Sequence, residues 1–148
     1  MRWNEVQGLD WLLPAARNKT KVDLVRPLSG AALSVLAAVP RVDGCEFVFM
    51  HGTRPISNFS KLKREVDERS SVAGWRLHDL RRTARSLMSR AGVNVDHAER
   101  CLGHVIGGVR GTYDRHAYYA EKKHAFEALA ALVERILDPK DNIVALRP

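Results

Sequence analysis

A chain of 148 residues is long enough for one ordinary domain with its own core. Its 45% hydrophobic and 28% charged content excludes a disordered chain, no run approaches a membrane span, and two cysteines exclude a disulfide scaffold. Twenty-four Lys and Arg against 17 Asp and Glu leave a charge of +7, which points to polyanionic partners, nucleic acid first among them.

The opening MRWNEVQGLDW reads as the middle of a domain, because Trp3, Val6, Leu9 and Trp11 need a core that has barely begun. Next, LDWLLPAARNKTKVDLVRPLS reads as two short strands, Trp11 to Leu13 and Val22 to Val25, with Asn18-Lys19-Thr20 at the tip. Ser29 suits the N-cap of a short apolar helix, AALSVLAAV, that Pro40 ends. CEFVFM is too short and too rich in β-formers for a helix, so a buried strand or extended segment is expected, followed by a loop, HGTRPISN. A basic helix is expected from Phe59 to Glu68.

From Asp79 to Ala91 the apolar Leu80, Ala84, Leu87, Met88 and Ala91 recur at helical spacing, with Asp79 placed to cap and Gly92 placed to terminate. A short helix beginning near Asn94 or Val95 turns Ala98 and Leu102 inward. Gly103, Gly107, Gly108 and Gly111 then form a connection ending near Tyr113. Tyr119 to Leu137 carries Ala125, Phe126, Leu129, Ala130, Val133 and Ile136 on one face, the pattern of a long amphipathic helix. After Pro139 comes a tail with a small apolar knot, Ile143 to Leu146. Together these elements predict an α+β domain, mostly α-helical, with a small antiparallel hairpin near the N-terminus packed on a helical bundle.

The chemistry concentrates in RLHDLRRTARSLMSRAG. A helix that begins at Asp79 would set His78 and Arg81 beside its unpaired backbone N–H groups, an end that already favours an anion. A guanidinium fork grips two oxygens of a phosphate at once. The plain alternative is that Arg81, Arg82 and Arg85 are solvated surface charges. The remaining histidines, His51, His97, His116 and His124, match no metal-ligand spacing.

His-x-x-Arg at His78 and Arg81, Leu-Gly-His ending at His104, Tyr113 nine positions on and a hairpin lysine upstream together resemble the tyrosine recombinase, or phage integrase, family. RWNEV followed by LLPAARNKTKVDLVRPLS is similar to that family's strand, hairpin and return strand. TYDRHAYYAEKKHAFEALAALVERI is similar to the prophage integrase branch. The resemblance runs from Trp3 to about Ile136.

It implies an integrase-like catalytic domain with Tyr113 as nucleophile on a DNA phosphate and Arg81 on the non-bridging oxygens. His78 would handle the nucleophile's proton, His104 would hydrogen-bond the phosphate, and Lys19 (or Lys21, two positions away) would protonate the departing 5′-oxygen. Arg82, Arg85, Lys61, Lys63 and Arg110 are the candidate contacts to the DNA backbone. Tyr118 and Tyr119 are rival nucleophiles. The resemblance further implies double-stranded DNA and further copies of the chain on it as partners, a cytoplasmic setting, and no membrane, metal, cofactor or small-molecule substrate.

The family uses two arginines, and the first is expected upstream of the matched RWNEV segment, before Met1, with Arg2 at a different motif position. Residues 1–148 are thus expected to be a single catalytic domain lacking its first segment, with 138–148 as a tail, and to be a poor recombinase alone. Two other readings compete: a catalytically impaired DNA-binding remnant of an integrase, and a non-enzymatic helical binder of helix-turn-helix type.

Overall fold

Residues 1–52, 54–104 and 116–139 are described in the computed structural model. A single 3₁₀ turn, Trp3–Glu5, leads into a three-stranded antiparallel sheet in the order β1 (Val6–Gln7), β2 (Asp10–Leu13), β3 (Leu24–Pro27). The return strand sits two residues later than the apolar run Val22 to Val25 suggests. Asn18 holds the turn: its Nδ2 donates to Val22 O at 2.7 Å and its Oδ1 accepts from Thr20 N at 3.4 Å. That polar closure takes Val22 out of the ladder and leaves it 61% exposed.

Under the sheet's first strand lies a buried carboxylate that composition would place outside. Glu5 is 5% exposed, and it accepts hydrogen bonds from Arg2 N at 2.9 Å, from Trp11 Nε1 at 3.2 Å and from the Arg17 guanidinium. A buried charge is tolerated when paired and hydrogen-bonded in this way. Of the N-terminal apolar residues, Trp3 and Trp11 are half-buried, whereas Leu9 is 51% exposed at the turn between β1 and β2.

Helix α1 (Gly30–Ala38) starts where expected, the Ser29 hydroxyl accepting from Ala32 N at 3.3 Å. The CEFVFM segment is extended but not a strand: Phe47 forms a lone bridge to Arg2, Val48 alone is fully buried, and only Met50 joins a ladder. The expected loop HGTRPISN contains a minimal hairpin, β4 (Met50–His51) and β5 (Arg54–Pro55). Helix α2 (Phe59–Ser70) runs two residues beyond Glu68, capped at its start by Asn58, whose Oδ1 accepts from Lys61 N at 3.1 Å.

Three further helices among the described residues form the core: α3 (Leu77–Arg90), α4 (Val95–Cys101) and α5 (Tyr119–Leu137). Met88, Ala98, Cys101 and Ala125 are almost fully buried together, with Val93, Phe126 and Leu129 packed around them. Ala98 and Ala125 carry single methyls, and this small bulk lets α4 approach α5 closely, as native packing density demands. Helix α5 also lies against β3, where Lys122 Nζ donates to Val25 O at 3.2 Å, and Tyr119 donates to Asp10 Oδ1 at 3.0 Å on β2. The architecture is therefore α+β and mostly helical, with the small sheet docked on the bundle. Among the described residues no helix is long and apolar enough to cross a membrane.

Two sequence expectations shift at the helix ends. The N-cap of α3 is Arg76, not Asp79: the Asp79 carboxylate sits in the first turn and reaches back to accept from Arg76 N at 2.8 Å, the acidic half of a capping box. Helix α3 gains three residues at its start, Leu77 to Asp79, and His78 lies inside its first turn. At the stripe ends, Leu80 is 60% exposed and Ile136 48% exposed, while Leu132, outside the predicted face, is 8% exposed. The core covers only the middle of each stripe.

Met88 is 1% exposed at the centre of this core. Met88→Ala should destabilise the fold by about 2–5 kcal/mol through lost burial and the cavity left behind. Urea unfolding checks this as a lower midpoint with an unchanged slope.

Candidate active site

The first turn of α3 presents His78 and Arg81 three residues apart, and its unpaired N–H groups give that end a partial positive charge. Arg81 reaches across to the end of α4. Its Nη2 donates to Leu102 O at 2.5 Å and stands 3.0 Å from His104 Nε2. His78, Arg81 and His104, with Arg82, Arg85 and Glu99, line one open cleft of about 330 Å³. The structure therefore brings together three of the candidate catalytic residues, with two of the candidate DNA contacts, from two segments more than ten residues apart.

His104 can stand there because Gly103 turns the chain. Gly103 has φ +73°, and a Cβ at that position would meet Arg26 Nη2 at 3.4 Å and Leu24 Cδ2 at 3.7 Å. Both the left-handed backbone and the close approach of β3 call for glycine. The His104 ring is then fixed from both sides. A guanidinium only donates, so Nε2 accepts from Arg81, and Nδ1–H donates to Glu99 Oε2 at 2.5 Å. In this arrangement Glu99 sets which ring nitrogen faces Arg81.

Glu99 is the residue that sequence reading missed. One oxygen holds His104, and the other accepts from Arg85 Nε at 2.7 Å. The Arg85 hydrogen bond, then that from His104, holds the Glu99 carboxyl below the usual glutamate value. Arg85, expected as a DNA contact, has its fork directed inward to Glu99 and, at 2.5 Å, to the Ser89 hydroxyl. A second missed residue is Arg26 on β3, whose Nη2 lies 3.4 Å from the same Leu102 carbonyl that Arg81 uses. Burial first, and the nearby Arg81 charge second, lower its pKa. The only signal in sequence for either was a charge facing an apolar stretch, and neither pairing is local.

The hairpin lysines lie beside a neighbouring cleft of about 360 Å³, which shares His104 with the first and is lined by Asn18, Thr20 and Lys122. Lys19 is exposed at the turn between these two lining residues, and Lys21 is exposed with φ +57°. Arg82 is exposed and paired with Asp79 at 2.9 Å. On α2, Lys61 stands 4.0 Å from Glu65, while Lys63 binds Asp67 at 2.5 Å and lies over the Trp75 ring at 4.7 Å. Neither lysine lines the His104 clefts. Arg2 lines neither cleft as well: its guanidinium pairs with Glu46 at 2.9 Å. Tyr113, Arg110 and the Ile143–Leu146 knot lie outside the described residues.

Both rival tyrosines are engaged. The Tyr119 hydroxyl donates to Asp10, which raises its pKa and keeps it protonated. The Tyr118 ring lies under the Arg100 guanidinium at 3.7 Å.

No family model and no solved structure matches this chain. Over 139 residues it is 31% identical to the prophage integrase IntA of Escherichia coli (strain K12), a match covering 90% of this chain and 34% of that protein. The chain thus spans about a third of the length of this relative. A likeness over so much of the chain supports kinship with integrases.

Because Glu99 ionises more readily in the fold than a free glutamate, its pairing stabilises the protein above the ordinary value of 4.5 and is lost as pH falls through the lowered one. Glu99→Gln should therefore be less stable than the parent near neutral pH by about 1 kcal/mol or less, given the partial exposure of the pair. The two proteins should converge in strongly acidic solution. Urea midpoints measured across that range check it, and a constant gap at every pH would contradict the assignment.

Proposed function

We propose that this chain carries the catalytic centre of a tyrosine recombinase, which breaks and rejoins double-stranded DNA through a 3′-phosphotyrosine link. The observation that carries the reading is the cleft in which Arg81 and His104 meet at 3.0 Å beside His78, at the positive end of α3. The likeness to a prophage integrase supports site-specific recombination as the broad activity.

On this reading a scissile phosphate enters the cleft and takes over the donors that Arg81 now gives to Leu102 O and His104. The Tyr113 oxygen attacks phosphorus as the bond from phosphorus to the 5′-oxygen breaks. A phenol near pKa 10 is almost wholly protonated at neutral pH, so its proton must leave during attack, and His78 is the proposed acceptor. The departing 5′-oxygen takes up a proton from Lys19 or Lys21, in the turn that flanks the adjoining cleft. One ester is exchanged for another, so the same steps run backwards reseal the strand without ATP. Charge gathers on the non-bridging oxygens in the transition state, where preorganised cations stabilise most.

His104 changes partner in the process. Opposite a phosphate oxygen its Nε2 donates in place of its contact with Arg81, while Glu99 holds Nδ1. Arg82, Lys61, Lys63 and Arg110 are the proposed contacts to flanking phosphates, and Arg85 orients Glu99. Further copies of the chain on DNA belong to the same proposal.

The test is a nicked suicide duplex, on which the cleaved intermediate cannot religate. The parent chain should form a protein–DNA adduct stable to detergent, and Tyr113→Phe should form none. Arg81→Ala should slow adduct formation about a hundredfold to a thousandfold, the usual cost of one lost oxyanion donor. An adduct formed equally well by Tyr113→Phe would end the proposal.

A further inference from the structure

We propose that Arg100 and Tyr118 form a clamp that fixes the downstream end of the segment carrying Tyr113 and so positions the nucleophile; this rests on the recombinase reading above. Arg100 lies on the last turn of α4, and its guanidinium carbon stands 3.7 Å from the centroid of the Tyr118 ring. That is close contact for a cation over an aromatic face. The same ring meets His116 edge-on at 4.7 Å and His97, also on α4, at 5.7 Å. Tyr118 is thus enclosed from the helix that builds the cleft as well as from its own chain.

The backbone at this point is strained in a way that the ring contacts explain. Tyr118 has φ 52° and ψ 35°, in the left-handed region that bulky residues rarely occupy. It is the N-cap of α5, yet its side chain makes no capping hydrogen bond. A glycine or asparagine would suit such a position better on conformational grounds alone. Ring contacts with Arg100, His116 and His97 accompany this conformation.

Position gives the clamp its role. Glu99 and Arg100 are neighbours on α4, and they hold the chain at two separate places: Glu99 at His104, Arg100 at Tyr118. The stretch between these anchors contains Tyr113. Tyr113 precedes Tyr118 by five residues (118 − 113), and five residues span at most about 17 Å when extended. Pinning Tyr118 therefore limits where Tyr113 can be, relative to the same helix turn that orients His104. A small misplacement of a reacting group costs rate far more than it costs binding.

Three variants test this in the full chain: Tyr118→Phe, which keeps the ring, and Tyr118→Ala and Arg100→Ala, which remove one side of the contact. Two quantities are read, duplex affinity and the single-turnover rate of adduct formation on the nicked suicide duplex at saturating DNA. Tyr118→Phe, which retains the ring, should keep more of the rate than Tyr118→Ala. Tyr118→Ala, which changes no charge, should form adduct about tenfold to a hundredfold more slowly, with duplex affinity held within about twofold. Arg100→Ala should slow the step to a similar extent. Hydrogen exchange should quicken in the first turn of α5, where Lys122 N bonds Tyr118 O at 3.0 Å, and stay unchanged around Met88, showing that the variants remain folded. An unaltered rate in Tyr118→Ala overturns the clamp alone, as does a rate lost only in proportion to affinity. A parent chain that forms no adduct overturns the recombinase reading and the positioning role with it.

Discussion

The approach of α4 to its neighbours is the constraint from which the rest of this structure follows. Ala98 and Ala125 are wholly buried in one cluster where α4 packs against α5. A larger residue at either point would push α4 outward and overpack a core that has few atoms to move. Everything chemically interesting hangs on the last turn of this seven-residue helix: Glu99 facing α3, Arg100 facing the start of α5, and the Leu102 carbonyl facing both Arg81 and Arg26. An isolated helix of this length would not persist in water. Its geometry is set by tertiary packing, so the cleft is only as well formed as the core beneath it.

The charges of the cleft make sense as a set. His78, Arg81, Arg82 and Arg85 come from one helix, with a single carboxylate, Glu99, set among them. Arg26 approaches from the sheet and is partly desolvated beside Arg81. Guanidinium groups gathered round one carbonyl oxygen repel one another, and a neutral carbonyl compensates only part of that. An anion in the cleft would relieve the repulsion. Glu99 keeps the arrangement from being purely cationic, and it is spent on orientation: one oxygen for Arg85, one for His104.

How much of this was legible in sequence depends on the range of the interaction. The helical stripe of α3 and its Gly92 stop, the Ser29 cap and the long α5 all came from spacing within a dozen residues, and the structure has them. The same spacing misplaced the start of α3, because an aspartate caps either from the N-cap or, as here, by reaching back from the first turn. It misjudged Leu80, Leu132 and Ile136, because periodicity shows which face is apolar and not how far along the helix a partner extends. His78, Arg81 and His104 were found through a motif and do line one cleft. Glu99 and Arg26 were not, since Arg85 lies 14 residues from its partner and Leu102 lies 76 residues from Arg26. Left-handed Tyr118 was illegible for another reason: nothing local favours that conformation in a tyrosine.

The two engaged tyrosines carry the last step. Tyr118 and Tyr119 stand side by side at the head of α5, and either has the phenol that a transesterification needs. Yet each is committed to structure. Tyr119 ties α5 to the sheet through Asp10, and that hydrogen bond works against ionisation, the reverse of what a nucleophile requires. Tyr118 lends its ring to α4. The fold uses both residues to hold α5 in place, and the proposed nucleophile, Tyr113, precedes them in the chain. Aromatic contacts and a carboxylate thus hold the head of α5 in place through Tyr118 and Tyr119.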